Sequence, residues 1–197
     1  MIESSKSGKI ARTLTYGMIG GGQGAFIGDV HRKAIRLDQK AQLVAGCFSS
    51  DPEKSKLSGE DLYLNPDRVY ATVEEMVAGE SAMPEDQRLD FVSVVTRNDL
   101  HYSNTKALLE SGFHVVCEKP LAFSTEQACE MVELVEKTGK IFALTHNYTG
   151  YPMVKEAREW VKSGKLGRIL KIVTEYPQGY AVGSVTADSE EKINSWR

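Results

Sequence analysis

The stretch that decides the fold is Gly17-Met18-Ile19-Gly20-Gly21-Gly22-Gln23-Gly24-Ala25-Phe26-Ile27-Gly28. Its part from Gly20 onward follows a short apolar run at 14–19 and precedes a segment at 30–37 with apolar residues at helical spacing. A glycine-rich turn between a strand and a helix lets an anion approach the backbone, because no side chain blocks it and the helix N-terminus offers N–H groups. The placement therefore predicts a nucleotide-binding turn at residues 20–28, called the glycine turn below.

The spacing within the glycine turn leaves its ligand open. Gly20, Gly22 and Ala25 fit the pattern G-x-G-x-x-A, whereas Gly28 fits as third glycine only with three extra residues, since it stands at 28 instead of 25. A turn that binds nothing and a methyltransferase loop for S-adenosylmethionine would both use similar residues. The residues that we expect to contact a dinucleotide are Gly20, Gly22, Gln23, Ala25, Phe26, Ile27 and Gly28.

A repeating pattern of apolar runs and amphipathic helices continues to residue 148. The further runs lie at 41–48, 68–71, 90–96, 114–117 and 141–144. Six short apolar strands that alternate with helices are typical of a parallel sheet covered on both faces. Right-handed crossovers then give an α/β fold, a doubly wound sheet of the Rossmann type.

The pattern changes in the C-terminal quarter, where one helix at 153–162 is followed by one alternating strand at 170–176 and a polar end. A single helix and a single strand cannot cover a sheet face, so this part is predicted to be the incomplete start of an α+β substrate domain. The predicted organisation is a flexible N-terminus at 1–12, a Rossmann domain at 13–148 and the incomplete domain at 149–197.

The composition excludes several classes of function. The 197 residues are 41% hydrophobic and 26% charged, which is globular composition, and the net charge of −3 gives no basic face for nucleic acid. No apolar run approaches the roughly 18 residues of a membrane helix. Cys47, Cys117 and Cys129 lack metal-ligand spacing and fit reduced thiols of a cytoplasmic protein. We expect no metal, no nucleic acid and no membrane partner.

The end of the second predicted strand bears on the choice between NAD and NADP. NAD-binding folds usually place a carboxylate there, which accepts from the ribose 2′-hydroxyl. Here Ser49 and Ser50 follow the strand, and Asp51 precedes Pro52 in a typical helix start, so Asp51 is predicted to cap that helix. The two serines are predicted to contact the cofactor. NAD and NADP both stay open, with a slight preference for NADP, because small hydroxyls accommodate a 2′-phosphate.

A charged pair follows the strand predicted at 114–117. Glu118, Lys119 and Pro120 lie at the C-terminal end of a central parallel strand, where open sheets bind ligands. Lys119 can donate to a substrate hydroxyl or assist a proton transfer, while Glu118 could orient it and Pro120 fixes the turn. A surface ion pair at a strand end is the alternative.

Several motifs in chain order resemble those of the Gfo/Idh/MocA family of oxidoreductases, which includes glucose–fructose oxidoreductase and inositol dehydrogenase. The resemblance covers residues 14–197. The motifs that carry it are the glycine turn with His31, VVTRNDLH at 94–101, EKPLA at 118–122, HNY at 146–148, GKLGRI at 164–169 and Trp196-Arg197.

The resemblance implies hydride transfer between NAD or NADP and a secondary alcohol of a sugar, inositol or related polyol. It implies that the glycine turn holds the pyrophosphate and that Lys119 is the catalytic residue, touching the substrate hydroxyl beside Asn147 and Tyr148. It also implies a homo-oligomer when the chain is full length. The other cofactor contacts that it implies are Thr96, Arg97, Asn98, His101, Glu118, Lys119 and Pro120.

Three departures from the family pattern matter. Arg97 replaces a proline, which either puts a cation near the cofactor phosphates or leaves the loop less rigid. The glycine turn is longer than the common version. The family's Asp-x-x-x-His element, which carries the proton-transfer histidine, is absent through Arg197, so we expect this chain to bind cofactor but turn over poorly. His114, which opens a strand, is predicted to be structural, and His146 does not replace the missing histidine. A non-catalytic NAD(P)-binding regulatory module of the same family is the alternative function.

Overall fold

A computed structural model describes residues 12–177 of the chain. These residues form two compact units that divide between Leu144 and Thr145. The predicted Trp196-Arg197 motif and residues 1–11 of the predicted flexible N-terminus lie outside the described residues. Arg12 is held in place, because its guanidinium donates to both carboxylate oxygens of Asp90 at 2.6 and 2.7 Å.

The first unit contains a wholly parallel sheet in the order β2-β1-β3-β4-β5. The order reverses between β1 and β3, because the chain runs outward to β2 before it crosses back. Ligands of open α/β sheets bind at this reversal, outside the carboxyl ends of the strands. The predicted doubly wound, Rossmann-type fold is therefore confirmed. The strands are β1 (Leu14–Gly20), β2 (Ala41–Cys47), β3 (Phe91–Val95), β4 (His114–Cys117) and β5 (Phe142–Leu144).

The helices begin where capping side chains predict. Asp51 accepts from the N–H groups of Glu53 and Lys54, and Thr72 and Ser124 each accept an N–H of the first turn that follows them. In the described part of the chain, no helix is long and apolar enough to cross a membrane. The helices are α1 (Phe26–Arg36), α2 (Pro52–Asp61), α3 (Val73–Ser81), α4 (His101–Glu110), α5 (Thr125–Thr138) and α6 (Pro152–Lys162).

The strand predicted at 68–71 is wrong. Only one bridge forms there, between Val69 and Gly46 of β2. The Tyr70 carbonyl oxygen instead accepts from the Ser55 hydroxyl of α2 at 2.8 Å, and the Tyr70 hydroxyl donates to buried Glu80 of α3. Because these side chains use the polar groups of the segment, it cannot continue a ladder beside β2, and the sheet has five strands instead of six.

The core lies on both faces of the sheet, because side chains alternate along each strand. On β3, Val92 and Val94 are buried on one face with residues of α4, while Val95 packs on the other face with Tyr16 and Met18 of β1. Burial of each large apolar side chain contributes about 1.5–3 kcal/mol. A sheet buried on both faces holds the loops at its carboxyl edge in fixed positions.

The second unit contains the short 3₁₀ helix Asn147–Gly150 followed by α6. The rings of Tyr148, Tyr151 and Tyr176 meet edge to face within this unit. The strand predicted at 170–176 does not form, because no neighbouring strand within the described residues supplies backbone partners. The assignment of 149–197 to an α+β substrate domain stays a prediction.

Candidate functional site

The glycine turn follows β1 at the reversal of the sheet and requires glycine for two reasons. Gly20, Gly21 and Gly24 have φ angles of 79°, 72° and 77°, which is left-handed backbone. A Cβ on Gly20 would also lie 2.8 Å from the Val95 carbonyl oxygen, and a Cβ on Gly28 would lie 2.4 Å from the Cα of Gly21. Gly28 therefore serves the close packing of α1 on the turn.

The extra length of the glycine turn is anchored on α2. The Gln23 N–H donates to the Ser58 hydroxyl at 3.0 Å, and the Gln23 side-chain amide donates to Asp61 at 2.7 Å. The Gly22 N–H donates to the Phe48 carbonyl oxygen at 3.2 Å. Gln23 thus fixes the turn through α2, and its direct contact with a cofactor stays a prediction.

The N-terminus of α1 emerges from the glycine turn without a side-chain cap, since Ala25 occupies the N-cap position. Its first N–H groups and the helix dipole favour an anion at this end. The Phe26 side chain, 82% exposed, projects from the first helical position, while Ile27 packs into the core. Arg32 supports the turn by donating to the Gly21 carbonyl oxygen at 2.7 Å.

A cavity of about 370 Å³ opens at the carboxyl ends of β1, β2 and β3. Four of the predicted contacts, Gly20, Ser49, Ser50 and Thr96, meet in its wall. The prediction missed the residues that the N-terminal halves of α3 and α4 contribute, although helices that follow parallel strands begin at this same edge. The lining residues not predicted are Ile19, Cys47, Ala71, Thr72, Val73, Glu74, Leu100, Ser103, Asn104 and Ala107.

Glu118, directly after β4, is held by a buried histidine. Its Oε1 lies 3.0 Å from Nε2 of His31 on α1, and Nδ1 of the same ring lies 2.9 Å from the hydroxyl of Ser93 on β3. Oε2 of Glu118 accepts from the backbone N–H of Lys119 at 2.9 Å. The carboxylate therefore links α1 to the loop that carries Lys119.

Lys119 is exposed and lies on the same edge of the sheet as the glycine turn. Cys117 at the end of β4 pairs with Val94, and Gly20 at the end of β1 pairs with Val95. In a parallel sheet these ends share one edge, so Lys119 and the glycine turn lie on the same side of the sheet. The Lys119–Pro120 peptide bond is cis.

His101 is fully buried, which contradicts its predicted direct contact with a cofactor. Its Nδ1 lies 2.8 Å from the Pro120 carbonyl oxygen and its Nε2 lies 3.1 Å from the Thr96 carbonyl oxygen. The ring thus lies between the loops after β3 and β4, within hydrogen-bond distance of a carbonyl oxygen on each, and no ring atom lines the cavity.

Arg97 and Asn98 lie in the loop between β3 and α4. The Arg97 guanidinium makes an exposed, two-point ion pair with Asp99, with its shorter contact at 2.6 Å. Asn98 begins a 3₁₀ turn. Neither residue lines the 370 Å³ cavity, so their contacts with a cofactor stay predictions.

Two further features of the first unit have structural explanations. Burial raises the pKa of both the Cys47 and the Cys117 thiol to about 11, which makes them poor nucleophiles. Nδ1 of His114 accepts from the Ile141 N–H at 2.9 Å, so this histidine joins β4 to the chain entering β5. Within residues 12–177, no group of three or more His, Cys, Asp or Glu could hold a metal ion.

Asn147 and Tyr148 both lie in the 3₁₀ helix of the second unit. The Tyr148 ring contacts Tyr151 and Tyr176 there. Their contact with a substrate stays a prediction.

Comparisons with known proteins agree with this geometry. The profile of the Gfo/Idh/MocA family, an oxidoreductase family with an NAD-binding Rossmann fold, matches residues 14–146. The uncharacterized oxidoreductase YfiI of Bacillus subtilis is 35% identical over 192 residues, 95% of this chain and 47% of the relative. A D-glucoside 3-dehydrogenase of Escherichia coli is 34% identical over 168 residues, 83% of this chain and 43% of the relative.

A solved structure of an inositol dehydrogenase homolog from Azotobacter vinelandii, complexed with NADH and myo-inositol, superposes with a TM-score of 0.77. It shares 36% sequence identity, over 81% of this chain and 41% of that chain. This chain therefore spans less than half the length of the relatives that it matches here.

Proposed function

The chain belongs to the Gfo/Idh/MocA oxidoreductase family, which has an NAD-binding Rossmann fold, and on this premise we propose that it oxidises a secondary alcohol of a sugar, inositol or related polyol. The observation that carries the proposal is the meeting of the glycine turn, the 370 Å³ cavity and Lys119 at one carboxyl edge. The D-glucoside dehydrogenase and the homolog bound to myo-inositol support this substrate class.

The residues at the reversal of the sheet fit a dinucleotide. The uncapped N-terminus of α1 would hold the pyrophosphate beside the bare backbone of the glycine turn. The cavity offers hydroxyl and amide groups of Ser49, Ser50, Thr96 and Asn104 to the adenosine half. The cofactor, when bound, supplies the hydride chemistry, and the protein supplies position and electrostatics.

Lys119 is the residue that we assign to the substrate. Its ammonium would donate a hydrogen bond to the reacting oxygen and stabilise the negative charge that develops there as the hydroxyl proton leaves. Glu118 positions Lys119 through its backbone N–H, and His31 in turn positions Glu118. Lys119 is thus the catalytic group, and Glu118 and His31 are positioning residues that act through it.

The first test is a fluorescence titration of the chain with NADH, with S-adenosylmethionine as a competitor. We expect saturable NADH binding that S-adenosylmethionine does not displace. The absence of NADH binding would overturn the proposed function, and displacement by S-adenosylmethionine would favour a methyltransferase.

The second test is Lys119→Ala, made in the full-length protein because the present chain is expected to turn over poorly, and assayed with NAD and a panel of sugars and polyols. We expect turnover to fall by about 10²–10⁴-fold, the range of a positioned proton-transfer group, while NADH affinity is kept. Lys137→Ala, on the last turn of α5, is the matched control and should retain wild-type turnover. NADH binding without turnover on any alcohol, or a Lys119→Ala variant as active as the control, would favour a regulatory module instead.

The remaining parts of the proposal concern the cellular setting. Cys47, Cys117 and Cys129 are all free thiols, which suits the reducing cytoplasm. We take a small polyol or sugar as the substrate partner, residues 149–197 as the start of the substrate domain, and a homo-oligomer as the assembly of the full-length protein.

A further inference from the structure

The 370 Å³ cavity at the reversal of the sheet is acidic. Among residues 12–177, its lining includes one carboxylate, that of Glu74, and no lysine or arginine. Phosphate groups are held in proteins by arginine, lysine and helix N-termini. A ligand that enters this cavity therefore meets hydroxyl groups, an amide and a negative charge.

Glu74 is the carboxylate of the first turn of α3 that helix capping does not use. Thr72 accepts from the Glu75 N–H, and the Glu75 carboxylate accepts from the Ala71 N–H at 3.2 Å, so both side chains serve the start of α3. Glu74 stands between them in the chain, is exposed, and enters no hydrogen bond or ion pair among the described residues. Its carboxylate is thus available to a ligand.

The charge of Glu74 acts across the cavity wall on a group at the end of β2. Burial is the main cause that raises the pKa of the Cys47 thiol, and the negative charge of Glu74 raises it further. Cys47 lies next to the loop of Ser49 and Ser50, where dinucleotide folds receive the adenosine ribose. Glu74 therefore adds negative potential at the ribose end of the cavity.

Neither Arg97 nor the N-terminus of α3 offsets this potential. Arg97 is paired with Asp99 and is not part of the lining. The positive end of the α3 dipole is opposed by both glutamates of its own first turn.

We propose that Glu74 determines the choice between NAD and NADP, accepting a hydrogen bond from the adenosine ribose and repelling a 2′-phosphate. This inference rests on the proposed function, since it assumes that the cavity receives the cofactor. It reverses the slight preference for NADP that Ser49 and Ser50 suggested, because the carboxylate missing after β2 is supplied by α3. The chain therefore prefers NAD.

The expected preference for NAD over NADP can be worked out from the charges of Glu74 and of the 2′-phosphate. A 2′-phosphate carries roughly two negative charges. For an assumed separation of about 7 Å between the phosphate and the Glu74 carboxylate in water-like surroundings, Coulomb repulsion changes the affinity by roughly five- to tenfold. Salt reduces this effect, because the Debye length is only about 8–10 Å at physiological ionic strength. The discrimination should therefore be measured at low salt and should weaken at high salt.

The test compares NADH and NADPH binding to the wild-type chain and to Glu74→Gln. The wild type should bind NADH more tightly, and the variant should shift the ratio of the two dissociation constants toward NADPH by roughly five- to tenfold. Competition with 5′-AMP and 2′,5′-ADP should show the same shift, because these probes carry only the adenosine half. Glu126→Gln, in the first turn of α5, is the matched control and should leave the ratio unchanged.

Tighter NADPH binding by the wild type, or an unchanged ratio in Glu74→Gln, would overturn the inference while the proposed function stands. Glu74→Lys is a second variant and should move the ratio further in the same direction. Failure of the wild type to bind either dinucleotide would overturn the proposed function and this inference with it.

Discussion

Replacement of His31 by leucine tests whether one buried ring joins the glycine-turn helix to the lysine loop. The imidazole lies between the hydroxyl of Ser93, which is fully buried, and the carboxylate of Glu118, whose side chain is 13% exposed. Leucine has a similar volume but offers neither partner a hydrogen bond. The substitution thus removes two hydrogen bonds and leaves both partners in place.

The expected loss of stability follows from the two hydrogen bonds that the substitution removes. A buried hydroxyl without its partner costs about 1–3 kcal/mol, and a largely buried carboxylate that loses a partner costs more. We therefore expect His31→Leu to reduce the free energy of unfolding by about 3–5 kcal/mol. This is a large fraction of the roughly 5–15 kcal/mol of a typical domain.

Urea unfolding followed by circular dichroism measures this loss. With a slope of roughly 1–3 kcal/mol per molar urea, the midpoint should fall by about 1–3 M. Arg36→Leu, at an exposed position of the same helix, is the control and should leave the midpoint unchanged. A double-mutant cycle with Glu118→Gln should give a coupling energy of about 1–3 kcal/mol, because both substitutions break the same contact.

Two results would refute this reasoning. One is a loss below about 1 kcal/mol in His31→Leu, which would mean that the ring does not satisfy both partners in the folded protein. The other is additivity of the two substitutions in the cycle, since residues in direct contact are expected to couple.

Two further predictions concern groups outside the cofactor hypothesis. In the native protein, iodoacetamide should modify exposed Cys129 first. Cys47 and Cys117 should react only on unfolding, because burial raises both their pKa values to about 11. Rapid labelling of either buried thiol, detected by peptide mass spectrometry, would contradict this. Burial, assisted by the nearby charge of Lys140, lowers the pKa of His114 below its unfolded value of 6.5. The contribution of neutral His114 to stability is therefore present above pH 6.5 and is lost as the pH falls through the folded pKa. The urea midpoint should therefore fall between about pH 8 and about pH 5 and fall less in His114→Gln; an equal fall in both proteins would contradict the assignment.

The parts of the fold that could be predicted depend on local chemistry. β4 has the predicted bounds, and α2 begins at its predicted cap Asp51; α3 and α5 also begin after a hydroxyl cap, Thr72 and Ser124. Capping and apolar runs act over a few residues, so a single stretch of sequence contains them completely. The run at 68–71 has the same apolar character but forms only one bridge, because distant Ser55 and Glu80 bind its polar groups.

The residues of the candidate site also divide into those that the sequence could predict and those that it could not. Gly20, Ser49 and Ser50 could be placed at the cavity because they stand at the ends of predicted parallel strands, which share one edge. Thr96 was implied by the family resemblance. Glu74 could not, since it looks like any first-turn helix glutamate until α3 is placed across from β2.

The sequence by itself determined an α/β sheet with a nucleotide-type turn and a lysine at its carboxyl edge, because the alternation of strands with helices and the chemistry of the turn follow from short patterns along the chain. Only the tertiary structure decided that His101 and Gln23 bind other protein groups, that His31 holds Glu118, and that the cavity is acidic. The physical reason is that a polar side chain can bind a ligand or a protein neighbour, and the neighbours concerned lie on other elements of the fold.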